Sequence, residues 1–159
     1  MYLFRLDDTV WANAARITEF VQRRPLDGAP ATEATEVYVA YDSEHLYFGF
    51  AVHYSDPSIM RANRVDRDRA PQDDLMTVYF DTFLDQQRAY DFDVNGYGVQ
   101  GDGIIDAGGG RSQAIPYADR SWDALFETAG QIVNDGYRAE MAIPFKSLRY
   151  PRRAPGEPH

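Results

Sequence analysis

The chain has no cysteine among its 159 residues and only three histidines. Without thiols it can form no disulfide, no thiolate zinc site and no cysteine nucleophile. The histidines, His45, His53 and His159, do not have the spacing of zinc ligands. We also find no phosphate loop, dinucleotide fingerprint or serine-hydrolase motif. These absences exclude the enzyme classes that short motifs most readily identify.

The chain also lacks long apolar runs and any excess of positive charge. No apolar stretch approaches the roughly 20 residues that span a bilayer, so we expect no membrane span. Acidic residues outnumber basic ones by 25 to 16, and a net charge of −9 repels phosphate backbones, which excludes nucleic acid as a partner. Residues 1–8 lack the basic patch and apolar core of a signal peptide.

The residues that are present predict one folded domain rich in β-structure. Hydrophobic residues make up 44% of the chain and aromatic residues 14%, which is too apolar for disorder. We expect a single domain over residues 1–150 and a loose tail containing proline and arginine over residues 151–159. Alternation with period two is typical of half-buried strands, and it predicts the following seven: Thr35 to Tyr41, Leu46 to Tyr54, Leu75 to Asp81, Arg88 to Asn95, Gly98 to Asp106, Trp122 to Ala129 and Tyr137 to Ile143.

Helical signal is weak. Trp11 to Phe20 and Pro144 to Leu148 could each form a turn or two. The stretch from Leu46 to Tyr54 is apolar on both faces, which favours a central strand covered on two sides. The fold class we predict is therefore all-β, an antiparallel β-sandwich of the jelly-roll or immunoglobulin-like kind with almost no helix.

One segment permits two interpretations. Asp91, Asp93, Asn95 and Gly96, followed by Asp102, nearly match the loop that holds calcium with carboxylates at alternate positions. The metal ligands would then be Asp91, Asp93, Asn95 and Asp102. However, apolar residues alternate with these acids, which favours a strand that ends in an Asn-Gly hairpin turn over a calcium loop. A second acidic cluster, around Asp68 and Asp73, is interleaved with arginines, which favours a solvated salt-bridged surface.

Sugar recognition needs an aromatic face against the ring and polar groups beside it. The candidate aromatic residues on or near loops are Trp122, Tyr117, Tyr97 and Tyr54. Their candidate polar neighbours are Arg111, Gln113, Asp119, Asn63 and Arg64. Long loops on a rigid sandwich are the usual place for binding. Trp11, which is followed by an apolar stretch, is expected to lie in the core instead.

Several segments, taken in order, resemble a known family. They are Pro25-Leu26-Asp27-Gly28, Leu46-Tyr47-Phe48-Gly49-Phe50, Phe92-Asp93-Val94-Asn95 and Ala139-Glu140-Met141-Ala142-Ile143-Pro144-Phe145. Over about residues 6 to 150 the chain resembles the family-9-type carbohydrate-binding domain found at the N-terminus of large bacterial exported proteins. The resemblance implies a β-sandwich, non-catalytic glycan binding at one end, structural calcium, and an extracellular or periplasmic location.

Two other functions remain open at this stage. The chain could be a structural or interaction domain that docks on the rest of its parent protein without binding sugar. It could also be a small glycosidase, for which Glu127 and Glu140 are the best carboxylate pair, because such enzymes need two carboxyl groups about 5 to 9.5 Å apart across a cleft.

Overall fold

A computed structural model describes residues 9–70, 72–106 and 118–151 of the chain. These residues form two antiparallel sheets. The strands are β1 Ala15–Ile17, β2 Thr35–Tyr41, β3 His45–His53, β4 Met76–Phe80, β5 Arg88–Val94, β6 Gln100–Asp106, β7 Ala118–Asp119, β8 Glu127–Val133 and β9 Gly136–Pro144. The first sheet has the order β1-β2-β3-β9-β8 and the second the order β4-β5-β6-β7. The predicted all-β sandwich is confirmed.

The described residues contain no α-helix, as predicted, only short 3-10 turns at Thr9–Asn13, Pro57–Ile59 and Phe145–Ser147. The prediction of a helical turn from Trp11 to Phe20 was only partly correct, because a 3-10 turn there gives way to strand β1. Strand β3 lies in the middle of its sheet and is buried from Phe48 to Val52, which confirms the interpretation of this segment as a central strand.

The core lies between the sheets and is strongly aromatic. Phe92 of β5 packs edge to face against Phe126 at 5.0 Å and against Phe80 at 5.8 Å between ring centroids. Phe48 of β3 meets Phe80 at 5.9 Å, which joins the two sheets. Trp11 is buried as expected, but it packs on Tyr38, on the side of the five-stranded sheet that faces away from this core.

The turns and loops that connect the strands lie at the two ends of the sandwich. At one end lie the turn between β5 and β6 and the segments of residues 54–70 and 72–75. At the other end lie the loop of residues 81–87 and the segment of residues 145–151, which Thr82 Oγ1 joins by donating to the carbonyl of Arg149 at 2.5 Å. The turn at the first end packs close to β8, since a Cβ at Gly98, where φ is +78°, would lie 2.8 Å from the backbone nitrogen of Gly130.

Candidate functional site

Three of the residues predicted to contact a ligand meet at the first end of the sandwich. The guanidinium carbon of Arg64 lies 4.4 Å from the centroid of the Tyr97 ring, a cation–π contact. Asn63 is the next residue along the chain, and both Asn63 and Arg64 are exposed. Within the described part of the chain, the Arg64 guanidinium has no ion pair and no hydrogen bond. We call Asn63, Arg64 and Tyr97 the loop-end site.

A buried asparagine fixes the geometry of the loop-end site. Asn95 is completely buried, and its Nδ2 donates to the Asn63 carbonyl at 2.9 Å and to the Asp73 carboxylate at 2.8 Å. Its Oδ1 accepts from the backbone nitrogens of Tyr97 at 2.9 Å and Val99 at 3.0 Å. Asp73 in turn accepts from Asn63 Nδ2 at 2.6 Å. One amide therefore joins the loop that carries Arg64 to the turn that carries Tyr97.

Tyr54, also predicted to contact a ligand, serves as an anchor beside this site. Its hydroxyl donates to Asp74 at 2.7 Å, and the same carboxylate oxygen accepts from the backbone nitrogen of Arg61 at 2.8 Å. Burial and the Asp74 carboxylate raise the pKa of Tyr54. Since the hydroxyl is engaged with Asp74, Tyr54 holds the start of the loop in place.

Trp122 lies elsewhere and packs against the core. Its ring centroid is 4.9 Å from that of Tyr90 and 5.9 Å from that of Phe92. Tyr90 lies near the start of β5, whereas Tyr97 follows its end, so Trp122 and Tyr97 are not brought together to hold one ring. The remaining predicted ligand residues, Arg111, Gln113 and Tyr117, lie outside the described residues. Asp119 is exposed on β7, and its carboxylate accepts from the backbone nitrogen of Ser121.

The segment predicted either as a calcium loop or as a strand and turn is a strand and turn. Asp91 and Asp93 lie on β5, and Asn95 begins the turn to β6. Asp102 pairs with Phe92 across the ladder, so its side chain points towards the core, whereas Asp91 and Asp93 point to the opposite face. The four residues predicted as metal ligands therefore do not converge on one point, because alternate residues of a strand face opposite ways.

Asp91 and Asp93 form a buried cluster with one arginine. Arg120 Nη2 lies 3.1 Å from the Asp91 carboxylate and 2.7 Å from that of Asp93. Gly101 and Gly103 of β6 leave room for this cluster. A Cβ at Gly101 would lie 3.2 Å from Arg120 Nη1, and a Cβ at Gly103 would lie 3.1 Å from the Asp91 carboxylate. Burial, together with the neighbouring Asp93 carboxylate, raises the pKa of Asp91 to about 6. One guanidinium thus offsets two carboxylates at this place.

A second arginine neutralises Asp102 on the inner face. Arg67 Nε donates to Asp102 at 2.9 Å, its Nη2 forms an ion pair with the same carboxylate, and the backbone nitrogen of Ala124 donates to the other oxygen at 2.6 Å. Oxygens of Asp68, Asp102 and Asp123 lie within 4.8 Å of one another. The Arg67 guanidinium lies among these carboxylates. It supplies the positive charge that such a group requires.

Sequence reasoning did not assign Arg67 and Arg120 to these carboxylates. Both arginines are distant in sequence from the acids they bind, so local patterns carry no direct sign of the pairing. The only sequence feature that points to these arginine sites is the pair of glycines at 101 and 103. Two glycines at alternate positions leave this part of one face of β6 without side chains, and such a surface accommodates a large group from another segment.

Glu127 and Glu140, the carboxylates considered for a glycosidase, lie on adjacent strands. Glu127 pairs with Ala142, and Ala142 and Glu140 share a face of β9, so both carboxylates are on the same side of the sheet. Glu127 is exposed and Glu140 is buried. The two groups therefore lie side by side on one surface, whereas glycoside hydrolysis needs two carboxylates that flank the bond to be cleaved.

An open groove of about 740 Å³ lies along β1 and the start of β2. Its lining includes Arg16, Glu33 and Glu36, and these groups are already bonded within the protein. Arg16 donates to Glu36 at 2.7 Å, and Ser55 donates to Glu33.

Comparison with known proteins identifies one family. A family model described as Carbohydrate family 9 binding domain-like matches residues 5–156. No curated protein and no solved structure matches the chain. Within the described residues, no helix has the length and apolar character required to cross a membrane.

Proposed function

Because the chain belongs to the carbohydrate family 9 binding domain-like family, we propose that it is a non-catalytic module that binds a glycan at the loop-end site. The observation that carries the proposal is the Arg64 guanidinium stacked on Tyr97 at 4.4 Å. The ring holds the cation in place, and its N–H groups remain available as donors to sugar hydroxyl oxygens or to a uronate carboxylate.

The neighbouring groups complement these donors. A sugar hydroxyl both donates and accepts, so a site needs donors and acceptors close together. Asn63 Nδ2 is engaged with Asp73, which orients the carboxamide. The Asn63 oxygen then supplies an acceptor beside the Arg64 donors, and the half-buried Tyr97 supplies apolar surface. Because Asn95 fixes both loops, little conformational freedom is lost on binding.

The experiment is a glycan-array screen, followed by calorimetric titration of the best ligand. We expect weak binding, in the micromolar-to-millimolar range of about 4 to 8 kcal/mol. Replacing Arg64 with alanine should abolish measurable binding, and Arg64→Lys should retain only part of it, because lysine lacks the planar set of donors. Tyr97→Ala should weaken binding by roughly tenfold, since it removes the support of the guanidinium.

Arg61→Ala is the matched control, since Arg61 is an exposed arginine of the same loop. It donates to Asp74 through its backbone nitrogen, and the substitution leaves this bond in place. This variant should bind like the wild type. Equal losses for Arg61→Ala and Arg64→Ala would indicate a general charge effect and contradict the site. An array without hits would count against glycan binding itself and favour a domain that docks on its parent protein.

Two further parts of the proposal concern location and calcium. We propose that the module acts outside the cytoplasm, as part of an exported bacterial protein; fractionation of cells that produce the full-length protein tests this. Calcium as a structural cofactor stays a prediction. It is tested by titrating calcium into the metal-free wild type and the Asp102→Asn variant. Heat of binding in the wild type that the variant loses would support a site at Asp102, and the absence of heat in the wild type would refute it.

A further inference from the structure

The segment that carries Arg64 exposes more positive than negative charge. Residues 60–70 and 72–75 contain four arginines and four aspartates, but these differ in exposure. The exposed charged residues of the segment are Arg61, Arg64, Arg69 and Asp66, whereas the other four are half-buried. Three positive charges thus face solvent against one negative charge, on a chain whose net charge is −9. The surface around the loop-end site is locally basic.

The half-buried acids beside the site are turned towards donors of the protein. Asp73 accepts from the backbone nitrogen of Asn63 at 2.8 Å and from Asn95 Nδ2 at 2.8 Å. Asp74 accepts from the Tyr54 hydroxyl at 2.7 Å. Hydrogen bonds from N–H and O–H groups stabilise a carboxylate where it lies and offset part of its charge. A ligand that approaches from solvent therefore meets the arginines before it meets these acids.

Arg64 holds a positive charge that has no counter-charge. Within the described residues its guanidinium has neither an ion pair nor a hydrogen bond, and these residues include every acid of the chain except Asp7, Asp8 and Glu157. The guanidinium carbon is held 4.4 Å from the centroid of the Tyr97 ring. The cation is thus kept in one place while its N–H groups stay free for a ligand.

The chemistry of the guanidinium distinguishes acidic from neutral sugars. A carboxylate accepts two parallel N–H bonds from arginine, and such charge-assisted bonds are roughly twice as strong as neutral ones. A sugar hydroxyl does not match this planar fork and leaves the positive charge unbalanced. The guanidinium is also more weakly hydrated than an ammonium group, so it releases water at a lower cost. These properties favour a sugar that carries a carboxylate.

The overall negative charge of the chain does not prevent such a contact. A net charge of −9 repels an anion at a distance and slows its approach. At physiological salt, however, charges more than about 8 Å away are largely screened. The groups next to the ligand then determine the affinity, and at the surface of this segment those groups are mainly arginines.

We infer that the glycan bound at the loop-end site contains a uronate, whose carboxylate accepts from the Arg64 guanidinium. The Asn63 oxygen accepts from a hydroxyl of the same sugar, and Tyr97 supplies apolar surface beside it. This inference rests on the proposed function, because it names the class of sugar that the same site takes. It goes further in that a neutral glycan does not satisfy it.

The test compares short uronate oligosaccharides with their methyl esters, which keep the sugar and the linkage but lose the charge. The probes are oligomers of polygalacturonate, polyglucuronate and alginate, titrated by calorimetry at about 0.15 M salt. For at least one of them, we expect the acid to bind roughly fivefold to tenfold more tightly than the ester. In Arg64→Gln this ratio should fall to about one, and Arg64→Lys should keep part of it, because lysine retains the charge without the planar fork.

Arg61→Gln is the matched control, because Arg61 is exposed in the same segment and its side chain has no ion pair within the described residues. It removes one charge from the same surface, so the ratio of acid to ester affinity should change by less than about twofold. Thermal melts establish that the variants are folded. An equal fall of the ratio in Arg61→Gln and Arg64→Gln would overturn the inference, since it would indicate attraction to the surface as a whole.

The remaining outcomes separate this inference from the proposed function. If acid and ester bind equally and Arg64→Ala abolishes both, the uronate is wrong and glycan binding at the loop-end site stands. The same holds if only neutral glycans bind on the array, or if sulfated oligosaccharides bind more tightly than every uronate probe. If no acid, ester or array glycan binds, the proposed function itself fails and the uronate fails with it.

Discussion

Removing the Asp102 carboxylate should destabilise the fold more than removing any exposed acid near it. Asp102 is completely buried and accepts from Arg67 and from the backbone nitrogen of Ala124. In Asp102→Ala the Ala124 N–H loses its partner in a buried position, at a cost of about 1 to 3 kcal/mol. Arg67 also loses its partner, but it still donates to the Ala124 carbonyl at 2.8 Å and its side chain is 32% exposed. The loss of its bonds to Asp102 therefore costs less, about 1 kcal/mol.

The sum is a loss of about 3 kcal/mol, at the lower end of the range for fully buried pairs because Arg67 reaches solvent. For a domain of this size that corresponds to a decrease in Tm of about 6 to 12 °C. Asp102→Asn should cost less, about 1 to 2 kcal/mol, because one acceptor oxygen remains while an amide N–H₂ faces a donor. Asp123→Ala is the control, since Asp123 lies 3.6 Å from Arg67 but is 75% exposed. It should cost less than about 1 kcal/mol.

The assay is urea unfolding of the three variants and the wild type, followed by tryptophan fluorescence and by circular dichroism so that two-state behaviour is checked. The expected order of destabilisation is Asp102→Ala, then Asp102→Asn, then Asp123→Ala. If the free energies of unfolding of Asp102→Ala and Asp123→Ala differ by less than about 1 kcal/mol, the argument from buried hydrogen bonds is wrong.

Three other changes test separate parts of the structure. Gly130→Ala should destabilise by about 2 to 3 kcal/mol in urea, because a Cβ there would collide with the backbone of Gly98; an unchanged midpoint would show that this contact is loose. The pKa of Asp91 is raised to about 6, above its value in the unfolded chain, so its contribution to stability is present at low pH and is lost as the pH rises through about 6. Between pH 4 and pH 7 the free energy of unfolding of the wild type should therefore fall by about 2 kcal/mol relative to that of Asp91→Asn, and parallel pH profiles would refute this. Trp122→Ala should lower Tm because the ring packs on Phe92, and loss of glycan binding without loss of stability would instead restore Trp122 as a binding residue.

The strand pattern was largely predictable because local alternation reports it directly. Strand β2 has the predicted bounds, β5 ends one residue earlier than predicted, and β3 and β9 differ from prediction by one residue at each end. Strand β8 was predicted too early, from Trp122 to Ala129, and runs from Glu127 to Val133. The residues before it alternate because Ala124 and Phe126 are buried against the core, so packing without a ladder produced the pattern of a strand.

The sites were less predictable, because they depend on contacts between distant segments. Asn63 and Arg64 are separated from Tyr97 by more than thirty residues in the sequence, and they meet through the hydrogen bonds of Asn95 and the contact of Arg64 with the Tyr97 ring. The spacing of Asp91 and Asp93 permitted either a calcium loop or a strand, and both residues lie on strand β5. A one-dimensional spacing does not state which face of a sheet a side chain occupies, and Asp102 lies on the face opposite to that of Asp91 and Asp93.

The sequence by itself determined the class of fold, the family and the aromatic composition of the core, since periodicity, composition and the order of motifs are local properties that the chain carries in any conformation. Only the tertiary structure decided which charges meet. Arg67 pairs with Asp102 and Arg120 with Asp91 and Asp93 from segments that are distant in sequence. The same applies to the order of the strands, because the position of a strand in a sheet depends on which strands pair with it, and that is settled only when the whole chain is packed.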